Sequence, residues 1–420
     1  MGDSLARYAE LIIRTGINLQ PGQSVRIGAE LAHRGLVRQL AAHAYQAGAR
    51  YVQVDWQDSL TIKQRLLHGK PDDLTFFPEY EVVRHQEMVD DGWARIALVG
   101  PEAPDAYDDV DPSAMRTANS ARAKALKFYM QAMMANHQQW CVAGAVTPAW
   151  AAKVFPDLPA HEAEAQLWNV IYHTCRINTP DPVAAWSAHD RRLKAAVQFM
   201  TDHKIQGVRF VDRETDADGK PRTDLTVWLT AHPQWIGAAA ATPAGITFFP
   251  NMPTEEIFST PDANRTEGYA WLSKPAFPFE REVRNARFVF EKGQVVSYTA
   301  EVGQNVLDQY FEIEGTRRLG EVALVDVRSP VNQADVVFYE TLYDENAACH
   351  IAFGQAYPDG VVNGNSLSED ELTALGVNKS DAHQDVMIGT ASMDVIGLCA
   401  NGDTVPVMNQ GQFVDAIAAG

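Results

Sequence analysis

Apolar residues in the first 200 positions alternate between helical spacing and short continuous runs. Residues 34–47 have the 3.6-residue spacing of an amphipathic helix that ends at Gly48, and the run 51–55 after it is typical of a strand. A further helix at about 79–90 leads into a second apolar run, 94–99. Because strand, helix and strand repeat in this order, the pattern predicts a parallel sheet with crossover helices.

The pattern changes near residue 205. Short segments rich in β-branched and aromatic residues follow, and Lys292-Gly293 between two of them indicates a hairpin. These segments are 207–211, 225–231, 286–302 and 320–325. We therefore predict an α/β scaffold domain over residues 1–204 and a β-rich α+β domain over residues 205–420.

Charge restricts the possible partners. The 420 residues include 54 acidic and 35 basic side chains, a net charge of −19, which argues against a nucleic-acid or anionic-membrane partner. The N-terminus lacks the features of a signal peptide, and the four cysteines are scattered, so a cytoplasmic location is expected. Residues 331–420 hold 13 acids against one base, Lys379. Bound cations would offset part of this excess.

Metal-ligand side chains recur in the C-terminal half, whereas the region before residue 205 has no nucleotide-binding glycine motif. His383 and Asp385 are two positions apart, so in a strand they share a face. Glu321 lies inside the apolar run LGEVALV, where burial of a carboxylate is costly unless it is paired or bound to metal. Each also has a structural explanation: a surface turn for the HxD pair, and a solvent-facing strand position for Glu321.

Further candidates stand nearby in the sequence. His350 follows the acidic pair Asp344-Glu345, and Tyr357 comes seven residues later. Glu255-Glu256 follows Pro253-Thr254, a pattern that is also typical of acids at a helix N-terminus. From spacing alone, the sequence predicts a metal site and no particular substrate.

Four long segments carry a resemblance to a known family. They are NMPTEEIF (251–258), EGTRRLGEVALV (314–325), FYETLYDENAACHIAFGQAY (338–357) and HQDVMIGT (383–390). In these segments, and more weakly in the N-terminal region, the chain resembles the thermophilic aminopeptidase (aminopeptidase T) family of two-metal exopeptidases. The resemblance implies that the C-terminal domain carries the metal site.

The resemblance also implies residue roles. It makes Glu321 the carboxylate that bridges two ions, Tyr357 the group that contacts the reaction intermediate, and Glu256 a general base. The implied metal ligands are Glu255, Glu321, Glu345, His350, His383 and Asp385. Four carboxylates and two imidazoles suit zinc, cobalt or manganese, and also allow magnesium.

The function predicted from the resemblance is a metallo-aminopeptidase that releases N-terminal residues from short peptides by means of a metal-activated water. Two divalent ions per chain, a homodimer and a cytoplasmic location belong to this prediction, with no nucleic-acid or membrane partner. Two alternatives stay open: a two-metal hydrolase of another amide or a phosphoester, and a non-catalytic metal- or peptide-binding protein.

Overall fold

The structure is a computed structural model that describes residues 2–216 and 218–418. The strands in these ranges are β1 (Ser24–Glu30), β2 (Tyr51–Gln57), β3 (Ala94–Val99), β4 (Trp140–Gly144), β5 (Ile205–Asp212), β6 (Asp224–Leu229), β7 (Ile236–Gly237), β8 (Ala240–Ala241), β9 (Thr247–Phe248), β10 (Asn251–Met252), β11 (Glu256–Ser259), β12 (Pro261–Trp271), β13 (Arg284–Glu291), β14 (Gln294–Val302), β15 (Leu319–Val325), β16 (His350–Gly354), β17 (His383–Met387), β18 (Met393–Cys399), β19 (Thr404–Asn409) and β20 (Gln412–Phe413).

The α-helices of the same ranges are α1 (Gly2–Leu11), α2 (Arg34–Gln46), α3 (Ser59–His68), α4 (Pro71–Leu74), α5 (Glu79–Asp90), α6 (Pro112–Ala125), α7 (Lys127–Met134), α8 (Pro148–Val154), α9 (Ala160–Thr174), α10 (Pro182–Asp202), α11 (Gln304–Tyr310), α12 (Pro330–Gln333), α13 (Thr341–Asp344), α14 (Glu369–Ala374) and α15 (Asp415–Ala418). Short turns of other helix types are Ile12–Gly16 (π) and Leu31–His33, Pro278–Glu280, Glu345–Ala347, Pro358–Gly360 and Gly364–Ser366 (3₁₀). Within the described ranges, none of the helices combines the length and the apolar character needed to cross a membrane.

The chain divides into two compact units, and the first contains residues 1–186 and 239–253. Its central sheet has the strand order β10-β4-β3-β1-β2, and all of these neighbours pair in parallel. The predicted parallel sheet is therefore confirmed. Gly48, with a φ of 93°, follows α2 in the left-handed conformation that glycine adopts readily.

The second unit contains residues 187–238 and 254–420 and has two sheets. One sheet has the order β14-β13-β12-β6-β5-β18-β19-β20, and the other has the order β17-β16-β15-β11-β7. Their neighbouring strands pair antiparallel, so the predicted β-rich C-terminal fold class is confirmed. The hairpin between β13 and β14 turns at Lys292-Gly293, as the sequence predicts.

A continuous apolar core fills the second unit. Val322 and Leu324 of β15 enter this core, as do Ile351 and Phe353 of β16. Side chains alternate across a strand, so the residues between these positions face the opposite side of the same sheet. That opposite face carries the candidate chemistry.

Candidate metal centre

Acids and imidazoles occupy four neighbouring strands of the β17-β16-β15-β11-β7 sheet. His383 and Asp385 lie on β17, and His350 opens β16. Glu321 lies on β15, and Glu256 opens β11. Antiparallel pairing thus brings together side chains that are up to 129 positions apart in the sequence (256 to 385).

The strand register places these side chains on one face. Glu321 pairs with Ala352, and Ala352 pairs with Asp385, so the three residues form a row across the sheet. His350 and His383 are each two positions from a member of this row, and they therefore share its face. Glu256 pairs with Val325, which is four positions from Glu321, so it also points to this face.

The ligand atoms converge in two groups that share Glu321. Glu256, Glu321 and His350 form one group, and Glu321, His383 and Asp385 form the other; in each, the donor atoms lie within 4.8 Å of one another. Nε2 of His350 is 3.3 Å from Oε2 of Glu256 and 3.6 Å from Oε1 of Glu321. Nε2 of His383 is 3.3 Å from Oδ1 of Asp385 and 3.7 Å from Oε2 of Glu321.

Both imidazoles are oriented through their other ring nitrogen. Nδ1 of His383 lies 2.6 Å from the backbone oxygen of Gln355, and Nδ1 of His350 lies 3.2 Å from that of Ala348. When the N–H at Nδ1 donates to these oxygens, Nε2 is the ring nitrogen that faces the carboxylates, and once deprotonated it is free to bind a metal ion. Metal-binding histidines are commonly held in this way.

The acids control the ionisation of the two histidines. Burial opposes a charge on His350, but the hydrogen bond to Glu321 and the carboxylates of Glu256 and Asp385 outweigh it and raise its pKa to about 10. Burial likewise opposes a charge on His383, and Asp385 and Glu321 raise its pKa to about 9. The face therefore attracts positive charge.

The carboxylates divide according to their nearest partner. Burial, with further contributions from Glu321 and Asp385, raises the pKa of Glu256 to about 8, although His350 opposes the shift. Burial also disfavours the charged form of Asp385, but the hydrogen bond from His383 and the two imidazolium charges lower its pKa overall. Without an added cation, the site balances its charge with protons.

The residues present fit divalent metal ions. Oε2 of Glu256 is buried without a hydrogen-bond partner in the described part of the chain. Two atoms bound to one zinc at ~2.0–2.1 Å in tetrahedral geometry lie about 3.3 Å apart, close to the shortest imidazole–carboxylate distances here. In residues 2–216 and 218–418, neither lysine nor arginine forms an ion pair with Glu256, Glu321 or Asp385. A cation would provide the missing positive charge.

Tyr357 and Glu345 lie at the edge of the cluster. The ring of Tyr357 is 4.9 Å from that of His383, and its side chain remains partly exposed. Burial together with Glu321 and Asp385 raises the pKa of Tyr357, so its hydroxyl stays protonated. Burial and the neighbouring acids, Glu256 first, place the pKa of Glu345 well above its usual range, but Glu345 lies outside both three-residue groups.

The two adjacent glutamates separate. Glu256 joins the candidate ligands, whereas Glu255 is buried beside α10, with its Oε2 3.7 Å from Nε2 of His189 and 3.8 Å from Nη2 of Arg192. The family resemblance implies the opposite assignment, with Glu255 as the ligand and Glu256 as the base. The sequence indicates no role for His189 or Arg192, because nothing in the local pattern of α10 shows which side chains approach residue 255.

Asn346 is a further residue of this region that no sequence motif indicates. Its Oδ1 accepts a hydrogen bond of 2.6 Å from the backbone N–H of Glu255, and its Nδ2 donates to the backbone oxygen of Leu342. Nδ2 also lies 3.5 Å from Oε1 of Glu345. This fully buried amide therefore links the segment before β11 to the turn that carries Glu345.

Comparison with known proteins identifies the relationship. Residues 1–413 match the family model described as thermophilic metalloprotease (M29). Aminopeptidase 2 of Geobacillus stearothermophilus is 37% identical over 99% of this chain and 98% of its own length. Aminopeptidase T of Thermus aquaticus is also 37% identical, over 98% of both chains.

A solved structure agrees over the same extent. Wild-type AmpT from Thermus thermophilus superposes with a TM-score of 0.89 at 36% identity, and the match covers 98% of this chain and 99% of that one. The resemblance found in the sequence is thereby confirmed. The chain belongs to the M29 family of thermophilic metalloproteases.

Proposed function

We propose that this protein is a metal-dependent aminopeptidase that releases N-terminal residues from short peptides. The observation that carries the proposal is the convergence of Glu256, Glu321, His350, His383 and Asp385 on one sheet face. The relatives described above are named aminopeptidases, which supports exopeptidase activity and lends no support to the phosphoester or binding-protein alternatives.

The two three-residue groups are proposed to hold one divalent ion each. Glu321 belongs to both groups and is the proposed bridging ligand, and Glu345 is proposed as a further ligand. The resemblance makes Glu255 a metal ligand. Because Glu256 and not Glu255 belongs to the two groups of candidate ligands, we propose that Glu256 is the ligand. Ions bound there would lower the pKa of a shared water molecule and polarise the peptide carbonyl. Zinc, cobalt and manganese suit this mixed donor set best, and magnesium is compatible with its oxygen atoms.

Tyr357 is proposed to stabilise the oxygen of the peptide carbonyl as negative charge develops on it. Its hydroxyl stays protonated because burial and the nearby acids raise its pKa, so it can donate a hydrogen bond. Its partial exposure and the 4.9 Å between its ring and that of His383 support a position where substrate can reach it from solvent. A peptide that enters from solvent would meet the hydroxyl and the ligands together.

The test uses substrates that differ only at the amine. Leucine and lysine p-nitroanilides and peptides of two to five residues are offered with free and with N-acetylated amines, alongside p-nitrophenyl phosphate. We expect hydrolysis of the free amines alone, loss of this activity after chelation, and recovery when zinc, cobalt or manganese is restored. Equal hydrolysis of the acetylated compounds, or hydrolysis of the phosphoester alone, would contradict the proposal.

The remaining proposals concern the protein in its cell. We propose a homodimer in the cytoplasm, with peptides and not nucleic acids or membranes as partners. The net charge of −19 supports the exclusion of anionic partners. Light scattering after size exclusion tests the dimer, because a mass near 46.3 kDa would indicate a monomer.

A further inference from the structure

The segment Thr254–Glu255, directly before the ligand strand β11, is anchored by helix α10. His189 and Arg192 lie three positions apart on α10, so they share one face of the helix. Nε2 of His189 is 2.7 Å from the backbone oxygen of Thr254. Nη2 of Arg192 is 3.0 Å from Nδ1 of His189.

This chain of contacts defines the state of His189. A guanidinium has only donors, so Nδ1 of His189 accepts a hydrogen bond from Arg192. Nε2 then carries the proton and donates it to the carbonyl of Thr254. The imidazole is neutral and uses both nitrogens, although its side chain is only 2% exposed. Arg192 thus fixes the tautomer that holds Thr254.

The same pair faces the carboxylate of Glu255. The side chain of Glu255 is 1% exposed, whereas that of Arg192 is 44% exposed. The guanidinium therefore approaches a buried carboxylate while part of the arginine remains in contact with solvent. On the other side, Asn346 accepts the backbone N–H of Glu255 at 2.6 Å. The backbone of this segment is therefore held at two successive residues, by groups from two different elements.

The anchoring determines which way Glu256 points. Successive side chains of an extended segment face opposite sides, so a carboxylate of Glu255 held against α10 directs Glu256 to the ligand face. Loss of the anchor would let the start of β11 shift or twist. The ligand oxygen of Glu256 would then no longer be held 3.3 Å from Nε2 of His350.

We infer that His189 and Arg192 are positioning residues that hold Glu256 in place for metal binding. The inference rests on the proposed function, because it assigns these residues a task toward the proposed ions. It adds a contribution from α10, which contains none of the residues that the sequence singled out. Neither side chain is proposed to touch substrate or metal.

The main test compares His189→Phe with His189→Gln. Phenylalanine keeps a ring but neither hydrogen bond, whereas glutamine can donate to Thr254 and accept from Arg192. We expect His189→Phe to weaken metal binding ~10–100-fold, as loss of an outer-shell partner does, and to lower kcat with KM within about twofold. His189→Gln should recover most of both. Metal affinity is measured on metal-free protein by zinc competition with a chromophoric chelator.

A second pair keeps the inference testable if the phenylalanine variant fails to fold. Arg192→Met removes the donor to His189 from a half-exposed position, and Arg209→Met is its control because Arg209 pairs with Asp224 in an exposed ion pair. We expect about tenfold weaker zinc binding for Arg192→Met, at the lower end of the outer-shell range, and no change for Arg209→Met.

The outcomes distinguish failure of the proposed function from failure of the inference about His189 and Arg192. If the unmodified protein binds neither zinc, cobalt nor manganese and hydrolyses no free-amine substrate, the proposed function fails. If it binds zinc and hydrolyses peptides while His189→Phe and Arg192→Met bind zinc with unchanged affinity, the inference about α10 is overturned and the proposed function stands. His189→Gln as impaired as His189→Phe would also overturn the inference, because the hydrogen bond to Thr254 would then not be the cause.

Discussion

Two groups of partly or fully buried acids in this protein differ in the cations that face them. In the first unit, Asp55 of β2 lies 2.6 Å from Nε of Arg26 and 2.6 Å from Nη1 of Arg84. Arg84 also binds Glu81 at 2.7 Å. In the second unit, the nearest cationic partners of Glu256 and Asp385 are imidazoles.

Ionisation shows what the difference means. Burial raises the pKa of the carboxyl groups in both places. For Asp55 the hydrogen bonds and charges of Arg84 and Arg26 outweigh burial, and the pKa is lowered; for Glu256 burial prevails, and the pKa rises to about 8. A permanently charged guanidinium completes a structural cluster, whereas carboxylates that lack one can accept a metal ion.

The largest effect is expected from Glu321→Gln, because Glu321 belongs to both ligand groups. Activity on leucine p-nitroanilide should fall to background and bound metal should decrease, while circular dichroism stays unchanged. Glu291→Gln, at an exposed position of β13, is the matched control and should behave like the unmodified protein. Full activity of Glu321→Gln would contradict the claim that the acids of the second unit hold the catalytic metal ions.

Asp55→Asn disrupts the cluster of Asp55, Glu81, Arg26 and Arg84, called the balanced cluster here because its two acids face two arginines. It leaves the buried Arg26 without its carboxylate, which we expect to cost about 3–5 kcal/mol of unfolding free energy. Urea unfolding measures this loss, and Asp224→Asn, which breaks an exposed pair with Arg209, should cost at most ~1 kcal/mol. Zinc affinity should not change in either variant. A weaker zinc affinity in Asp55→Asn would show that the two clusters are not independent.

Tyr357→Phe separates catalysis from metal binding within the second cluster. Loss of the hydroxyl should lower kcat ~10²–10³-fold, as for removal of one oxyanion donor, and leave zinc affinity unchanged. Tyr269→Phe removes a hydroxyl that binds the backbone oxygen of Pro221 and serves as the control. Steady-state kinetics on leucine p-nitroanilide measure both variants. A kcat for Tyr357→Phe equal to that of the control would refute the role of this hydroxyl.

The pH dependence of stability should differ between the clusters, and this effect is the smallest. In metal-free protein, the pKa values of His350 and His383 rise from 6.5 to about 10 and about 9, and that of Glu256 rises from 4.5 to about 8. The folded state then binds more protons than the unfolded state between about pH 4.5 and 10, so stability falls as pH rises through this window, most steeply between about pH 6.5 and 8, where all three groups contribute.

The balanced cluster should lose stability at acidic pH. The pKa of Asp55 is lowered from 3.8, so the stability it contributes is present above that value and is lost as pH falls below it. Melting temperatures of metal-free and zinc-loaded protein between pH 3 and 10 test both statements. The alkaline decline should disappear in the zinc-loaded protein, and its persistence there would contradict the assignment.

Most of the fold follows from local patterns. The helix over 34–46, the strands beside it and the hairpin at Lys292-Gly293 are all encoded by periodicity and turn residues close together in the chain. The placement of residues 239–253 in the first unit is not encoded in this way. It depends on the pairing of β10 with β4, in which Asn251 lies opposite Val142, and these residues are more than 100 positions apart in the sequence.

The site shows the same limit. His383 and Asp385 share a face in any extended segment, so two positions of spacing suffice to predict their convergence. Whether Glu255 or Glu256 joins them depends on the pairing of Glu256 with Val325, which the sequence of either strand alone does not determine. The contacts of His189 with Thr254 depend on packing of a helix, and no local motif signals them.

The most direct test of the account is zinc titration of metal-free protein, with bound metal and leucine p-nitroanilide hydrolysis measured on the same samples and Glu321→Gln run in parallel. We predict no activity before zinc is added, activity that rises until about two ions are bound per chain, and no recovery in Glu321→Gln. Undiminished hydrolysis by fully metal-free protein, or full recovery of Glu321→Gln, would contradict the claim that the acids on this sheet face form the catalytic metal site.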